Sequence, residues 1–485
     1  MTAPPSVPPP GHSHSHHTAP EDVVPTKNRL AYGIGACAER ISFDSGQQLA
    51  NPIFNITLGL PPVWVGAALS LPRIWDAFID PVIGALSDKC TSRWGRRRPF
   101  LFAGAILASL IFVVMWSFPR GLSHAGYFAY FLSVSLVYYT VLAFWLVPYQ
   151  ALSYELSPDY HERTRVQGIR SFFGGMGSLL APWLFYFTQL SIFRDTIEGL
   201  RVLALIAGGL ILVCGIAPAV FIKERAFHPA TRPNRWSLFK NMKVSLQNSA
   251  FRRLLGVVVL VQIAGFMVSG LGFYVIAYHI LGGNLKAAAA LGGWVQSTFF
   301  FMVILGAPFT VFLSRRLGKR RAFMVCCGLG FIGSVLKWFC YTPAHPYLAV
   351  VVPLFLAPGY SGSANLLFHA MVADVCDQDE LQTGFRREGL FGAMGLWTLK
   401  LGQSLSFFVT GAILAWVGFN AKLGGAQAPE TLTYMRTAFA FVPATAFLAG
   451  MILIRFFPLT EERAYEIRAE LKARNLADPP RATGG

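Results

Sequence analysis

Apolar runs of roughly 20 residues, separated by short polar stretches, fill this chain, and each is long enough to cross a hydrocarbon core about 30 Å thick as an α-helix. A chain patterned in this way has little choice of fold. In lipid every backbone N–H and C=O must be satisfied within the structure, which leaves helices or a closed barrel, and the runs are too long for barrel strands. Charged residues make up 13% of the chain, against roughly 25% in soluble globular domains. The expected fold class is an all-α membrane protein, multi-pass in the cell membrane, which is the inner membrane if the source is bacterial.

Twelve segments are expected to span, at about 29–53, 61–87, 99–118, 125–153, 167–192, 199–222, 251–280, 288–313, 322–341, 346–373, 386–418 and 432–457. The formal charge of +17 does not point to nucleic acid, because Lys and Arg gather in the connections after the even-numbered segments, including Arg96, Arg97, Arg98, Arg320 and Arg321. By the positive-inside rule those connections and both termini are cytoplasmic.

The longest connection, Lys223 to Ala250, is basic (Arg225, Arg232, Arg235, Lys240, Lys243) and divides the segments into two sets of six. A repeat supports the division. Ser92-Arg93-Trp94-Gly95-Arg96-Arg97-Arg98 after segment 2 is echoed 223 residues later by Arg315-Arg316-Leu317-Gly318-Lys319-Arg320-Arg321 after segment 8. Two parallel halves of this kind resemble the major facilitator organisation. The expected domains are an N-terminal six-helix bundle at 26–222, a central cytoplasmic loop at 223–250, and a C-terminal six-helix bundle at 251–458. Cytoplasmic tails are expected at 1–25 and 459–485. The first tail is Pro-rich with His12, His14, His16 and His17; it lacks the charged start and apolar centre of a signal peptide, so it reads as a solvated, disordered tail. Cys37, Cys90, Cys214, Cys326, Cys327, Cys340 and Cys376 are odd in number and scattered, with neither a disulfide framework nor zinc spacing.

A charge at the centre of a spanning helix costs about 2.5 to 3.5 kcal/mol on insertion scales and is a functional hypothesis by default. Segment 2 carries Arg73, Asp76 and Asp80 at i, i+3 and i+7, on one helical face. Two carboxylates one turn apart repel unless a proton or cation sits with them, so Asp76 and Asp80 are the expected cation site; Arg73 bracing Asp76 is the structural alternative. Segment 1 has a polar stripe of Arg40, Asp44, Gln47, Asn51 and Asn55, flanked by Glu39 and Gln48, suited either to a hydroxylated solute or to helix packing. Lys400, near the centre of segment 11, is too deep to snorkel and is expected to face the two carboxylates, whereas Lys337 lies nearer an end and is expected to snorkel.

Beginning at Arg73-Ile74-Trp75-Asp76-Ala77-Phe78-Ile79-Asp80-Pro81, with Ser92-Arg93-Trp94-Gly95-Arg96-Arg97-Arg98-Pro99, the sequence resembles the glycoside/pentoside/hexuronide:cation symporter family. Further blocks carry the likeness: Tyr32-Gly33-Ile34-Gly35; Val147-Pro148-Tyr149 with Glu155-Leu156, Asp159, Glu162-Arg163 and Arg170-Ser171-Phe172-Phe173; and Asp374-Val375-Cys376-Asp377 with Asp379-Glu380-Leu381, Thr383-Gly384, Arg386-Arg387-Glu388-Gly389 and Lys400. The resemblance implies a major facilitator fold with solute and cation bound between the halves. It implies cation binding by Asp76 and Asp80, with Lys400 as the family's helix 11 lysine and Arg170 as its helix 5 arginine near the sugar; Arg40, Asp44, Gln47 and Gln150, the last standing where the family has an aromatic, complete the expected solute-binding residues. The family's helix 1 aspartate has Arg40 as its closest position here, and its acidic residue before the helix 4 proline is lost, with Leu146 before Val147-Pro148. Those departures weigh against a galactoside and a sodium site, and favour proton coupling.

The expected function is cation-coupled symport of a sugar or glycoside by alternating access, by a monomer, with H+ or Na+ as coupling ion, no cofactor and no metal beyond a possible Na+ at Asp76 and Asp80. A cytoplasmic gate is expected from ion pairs of Glu155, Asp374, Asp377 and Glu388 with Arg96, Arg97, Arg163 and Arg386. A lysophospholipid or other non-sugar cargo on the same fold is the first alternative. A Mg2+-dependent intramembrane prenyltransferase, using Asp76 and Asp80 with Asp374, Asp377 and Asp379, is a remote one. No enzyme activity is expected, and no GxxxxGK[ST] loop is present for nucleotide hydrolysis.

Overall fold

The computed structural model describes residues 23–157, 160–222, 224, 246–384 and 387–477. The N-terminal His cluster, most of the central connection, Arg386 and the side chains of Arg163 and Glu388 lie outside the described residues. Among the described residues all regular structure is helical, with no strand.

The first set comprises α1 (Thr26–Ala50, running on as a π-helical stretch Asn51–Thr57), α2 (Pro62–Asp88), α3 (Arg98–Trp116), α4 (His124–Glu155), α5 (Tyr160–Leu180) and α6 (Thr196–Phe221). The second comprises α7 (Ser249–Tyr274), α8 (Leu285–Cys340), α9 (Pro353–Ser361), α10 (Phe368–Thr383), α11 (Glu388–Trp416), α12 (Pro429–Arg455) and α13 (Glu461–Ala477). Side-chain caps mark several starts. Ser123, Asp195, Asn248 and Asn284 each accept an N–H from the first turn of α4, α6, α7 and α8, satisfying one of the free donors there.

Continuous at 56 residues, α8 would be about 84 Å long at 1.5 Å per residue, far beyond one bilayer crossing. It breaks at Gly318, whose φ of 77° is open to glycine and strained for other residues. The break falls in the basic repeat, so segments 8 and 9 are two limbs of one element. Among the described residues, eight helical stretches are long and apolar enough to cross a membrane. Helices α1, α2 and α5 are not among them, because Glu39, Arg40 and Asp44, then Arg73, Asp76 and Asp80, then Glu162, Arg165 and Arg170 lower their apolarity.

Helix α1 packs on α5 and α6, α4 on α2 and α3, and α3 on α6; in the second set α7 packs on α11 and α12, and α8 on α9 and α12. Each set buries its own hydrophobic core, one around Tyr138, Trp145 and Tyr149, the other around Phe251, Tyr274, Phe323 and Phe447. Gly33 lies against Ile169 and Phe173, and Gly35 against Tyr149 and Pro218. The main contact between the sets is α2 against α11 along its length.

One end of the assembly, here the terminal face, carries the starts of α1 and α7 and the basic repeats. Arg96 and Arg97 donate to Glu155 at 2.7 and 3.1 Å, while the backbone N–H groups of Arg96, Arg97 and Arg98 donate to the Glu224 carboxylate at 2.6–2.8 Å. The opposite end is the far face.

Candidate functional site

Helices α2 and α11 run antiparallel in close contact. Gly66 lies against the Phe407 carbonyl and Gly411 against the Pro62 carbonyl, where any side chain would collide with backbone. Further along, the Ser70 hydroxyl donates to the Ser404 carbonyl at 2.7 Å. This approach holds the two axes near enough for the side chains two turns on to meet. Lys400 Nζ donates to Asp76 Oδ2 at 2.7 Å and to Asp80 Oδ2 at 2.5 Å. Asp76 is 2% exposed, whereas Asp80 and Lys400 are about one-quarter exposed. Asp80 Oδ1 is buried with no hydrogen-bond partner among the described residues. One ammonium against two carboxylates leaves the group one positive charge short, which is the electrostatic requirement for taking up a cation.

Arg73 does not brace Asp76. Its guanidinium lies between the rings of Phe43 and Tyr139, 4.3 and 4.6 Å from their centroids, because α2 turns that face toward α1 and α4 while Asp76 is claimed by Lys400. Lys337 does not snorkel: it is fully buried, donating from Nζ to the Phe439 carbonyl at 3.2 Å and sitting over that ring. Its end of α8 is wrapped by α12, which removes the route to water.

On α1, Glu39 accepts both carboxylate bonds from Arg170 of α5, at 2.9 and 3.0 Å. Arg170 also lies 5.7 Å from the centroid of Tyr149, which stacks on Tyr32 and Trp145. The polar stripe showed Glu39 only as a flanking residue; its i−131 pairing with Arg170 has no local signal in sequence. Asp44 accepts from the Ser178 hydroxyl at 3.1 Å. Arg40 is exposed beside α5, and Gln150 is exposed on α4. Gln47, with Gln48 and Asn51, lines a separate cavity toward the far face that also meets Gln296 and Phe273. In the second set the Tyr360 hydroxyl donates to Gln262 at 2.7 Å, and the buried Trp397 Nε1 has no hydrogen-bond partner among the described residues; these three residues were not singled out from sequence.

Of the expected gate residues, Glu155 pairs with Arg96 and Arg97 inside the first set, and Asp374 with Lys319 at 2.6 Å inside the second. Asp377 stands partly buried on α10. Arg163, Arg386 and Glu388 of the expected gate lie outside the described side chains, and the pairs given for Glu155 and Asp374 each fall within one set. Among the described residues, direct bonds between the sets include the Lys400 cluster and, toward the far face, Tyr274 Oη to Asn55 Oδ1 at 2.8 Å and Trp183 Nε1 to Ser297 Oγ at 3.0 Å. Asp374 and Asp379 are held by Lys319 and Arg387, away from Asp76 and Asp80, so the paired Asp clusters of a prenyltransferase are not assembled. Among the described residues no group of three or more His, Cys, Asp or Glu is placed to hold a metal ion.

The family model described as MFS/sugar transport protein matches residues 45–461. The chain is 25% identical to a glucuronide carrier protein homolog of Escherichia coli, over 92% of this chain and 95% of that protein. It is 23% identical to a sodium-dependent lysophosphatidylcholine symporter of Gallus gallus, over 85% of this chain and 83% of that one. Its fold matches a crystal structure of a D-xylose-proton symporter with a TM-score of 0.63 at 15% identity, over 89% of this chain and 97% of the other.

Proposed function

This chain belongs to the MFS/sugar transport protein family, among the glycoside:cation symporters, and from that membership we propose cation-coupled symport of a sugar or glycoside by alternating access. In this reading twelve helices span the membrane in two bundles of six, both termini are cytoplasmic, and the terminal face is the cytoplasmic one. Asp76 and Asp80 bind the coupling cation, H+ or Na+. Lys400 reports its arrival, and Arg40, Asp44, Gln47, Gln150 and Arg170, with Glu39, handle the solute.

The observation that carries the reading is the Lys400 bridge. A lysine of one half bonds both carboxylates of the other, so a cation at Asp76 and Asp80 competes with a bond between the halves. Site occupancy and the relation of the halves then depend on each other, and that dependence is what symport requires. The far-face bonds through Asn55 and Trp183 describe a carrier closed to the outside. The gate residues belong to the opposite state, in which Arg96, Arg97 and Glu155 exchange their present partners for ones across the terminal face.

Uptake into proteoliposomes, with sodium and proton gradients imposed separately and a panel of glycosides as solutes, tests the proposal. Accumulation above equilibrium with one of the gradients is expected. The likeness to a lysophosphatidylcholine symporter favours one second reading, a lipid cargo; under it, vesicles should accumulate a lysophospholipid and no glycoside.

A further inference from the structure

At the joint of α8 the second set carries a cavity of about 270 Å3, lined by Arg315, Lys319 and Arg320 of α8, Asp374 of α10, and Glu461 and Tyr465 of α13. Every lining residue belongs to the second set, so this is not the space between the halves that a transported solute crosses. Its charges are unevenly engaged. Lys319 is held by Asp374 at 2.6 Å, and Arg320 donates one arm to the Phe457 carbonyl at 3.3 Å, closing the end of α12. Arg315 and Glu461 are exposed and make no hydrogen bond or ion pair among the described residues.

The first set shows what the corresponding place holds. Gly95, the glycine of the first basic repeat, has a φ of 108°, as Gly318 has one of 77°. Beside it the Glu224 carboxylate, leaving α6, accepts the N–H groups of Arg96, Arg97 and Arg98 at 2.6–2.8 Å. Glu461 leaves α12 as Glu224 leaves α6, and a Cβ on Gly318 would stand 2.5 Å from its Oε2. There the likeness stops. Glu461 is bonded to nothing among the described residues, and the second repeat faces a cavity where the first has a bonded carboxylate. The chain supplies an anion to one basic repeat and leaves the other open to an anion from outside.

The lining charges set the size of that anion's charge. Arg315, Lys319 and Arg320 against Asp374 and Glu461 leave one positive charge over. The surroundings set its nature. One turn before Arg315, Val311 and Phe312 are exposed, and the exposed Phe456 adjoins the cavity-lining Phe457. Exposed apolar surface therefore runs up to a pocket of spare guanidinium donors at the end of a spanning segment, as acyl chains run up to a phosphate.

We propose that this cavity binds the headgroup of an anionic phospholipid, with its phosphodiester on Arg315 and Arg320 and a headgroup hydroxyl on Glu461. The lipid is a bound component and not cargo, and its site does not depend on which solute is carried. Forked, charge-assisted bonds from a guanidinium suit a phosphate oxygen pair. A zwitterionic lipid with the same chains brings its own cation and leaves the extra positive charge of the pocket unbalanced.

The experiment counts lipids retained by the full chain in detergent, by native mass spectrometry, during titration with dioleoylphosphatidylglycerol, dioleoylphosphatidylcholine or dioleoylphosphatidylethanolamine. Glycerol 3-phosphate serves as a competitor without chains. One phosphatidylglycerol should bind at least about tenfold more tightly than either zwitterionic lipid. Arg315→Gln should remove most of that preference. Because Arg315 has no partner to lose, its melting temperature without lipid should stay that of the wild type. Arg316→Gln is the matched control: it deletes the same charge one residue away, from a guanidinium stacked on Phe312 and outside the cavity lining, and should keep the preference. Equal binding of the three lipids overturns the proposal, and so does tighter binding of either zwitterionic lipid. An equal loss in the two variants would mean attraction by the basic surface at large and no site. Displacement of phosphatidylglycerol by glycerol 3-phosphate at equal concentration would make the cavity a site for soluble phosphates and overturn the lipid assignment.

Discussion

Lys400 Nζ lies 2.7 Å from Asp76 Oδ2, a bond that spans 324 positions of sequence and joins the two halves of the molecule. The same nitrogen reaches Asp80, whose second oxygen is buried and unpartnered. Asp76 is closed off while Asp80 is partly open, so the two carboxylates are not equivalent. In the proposed cation site, Asp80 is the carboxylate that an arriving cation reaches first.

Asp80→Asn is therefore expected to abolish accumulation driven by an imposed gradient. The amide keeps the shape and can still accept a bond from Lys400, so the folded protein and solute exchange at equilibrium should survive. Uptake against a gradient and equilibrium exchange, measured side by side in the same proteoliposomes, separate the two effects. Full uphill transport by the variant would remove Asp80 from the cation site.

Lys400→Met removes the charge and keeps the stem. The carboxylates are then left without their ammonium, a loss of about 3–5 kcal/mol for a buried pair if nothing replaces it. Added cation should stabilise this variant more than the wild type, raising its melting temperature in detergent. Cation and solute should also cease to help each other bind: the ratio of solute affinities with and without the driving ion should fall toward one. A ratio equal to that of the wild type would reduce Lys400 to a packing residue.

Much of this was legible in the sequence because charges inside apolar segments have few places to go. The i, i+3, i+7 spacing placed Arg73, Asp76 and Asp80 on one face, and the depth of Lys400 made a partner in the other half the economical arrangement. The spacing could not say whether Arg73 would keep Asp76 as its partner. Arg73 and Asp76 look like a pair in one dimension, yet α2 leans on Phe43 and Tyr139 at one of them and on α11 at the other. Glu39 and Arg170 come from different helices, and only the α1–α5 packing puts them in register. The joint at Gly318 was written in the repeat as a connection. Its φ of 77° is what the second glycine of that repeat supplies, but the continuity of helix on either side is a product of packing.

The far-face closure makes a prediction about state. Tyr274 donates its only hydroxyl proton to Asn55, and Asn55 in turn donates to the Leu60 carbonyl at 2.5 Å. Tyr274→Phe deletes one net hydrogen bond of about 1 kcal/mol and leaves a buried acceptor unsatisfied. If that bond exists only in the far-closed state, the open fraction should rise by roughly fivefold. A cysteine introduced at Gly292, which lines the far-face cavity, should then label faster with an impermeant thiol reagent applied from that side. Labelling at the wild-type rate would mean that Asn55 and Tyr274 stay together in both states.

Glu162 gives a pH dependence whose sign is fixed by its contacts. Its side chain is fully buried at the start of α5. Desolvation there pushes its carboxyl upward, but the Val24 N–H at 3.1 Å, the Arg165 guanidinium at 2.6 Å and the charge of Arg29 outweigh it, and the group is held below the ordinary glutamate value. A carboxylate lowered on folding contributes stability that is fully present above its unfolded pKa and is lost as pH falls through the folded one. The contribution should therefore be constant at neutral pH and disappear on acidification below about pH 4. Because Glu162 ties the segment before α1 to the start of α5, what loosens first is the Val24 contact rather than either core. Melting of the detergent-solubilised protein, followed from pH 7 to pH 3 for the wild type and for Glu162→Gln, checks this. The variant should be less stable at neutral pH and show the shallower acid dependence, the two curves converging at the acid end; parallel curves would show that Glu162 is not the group being titrated.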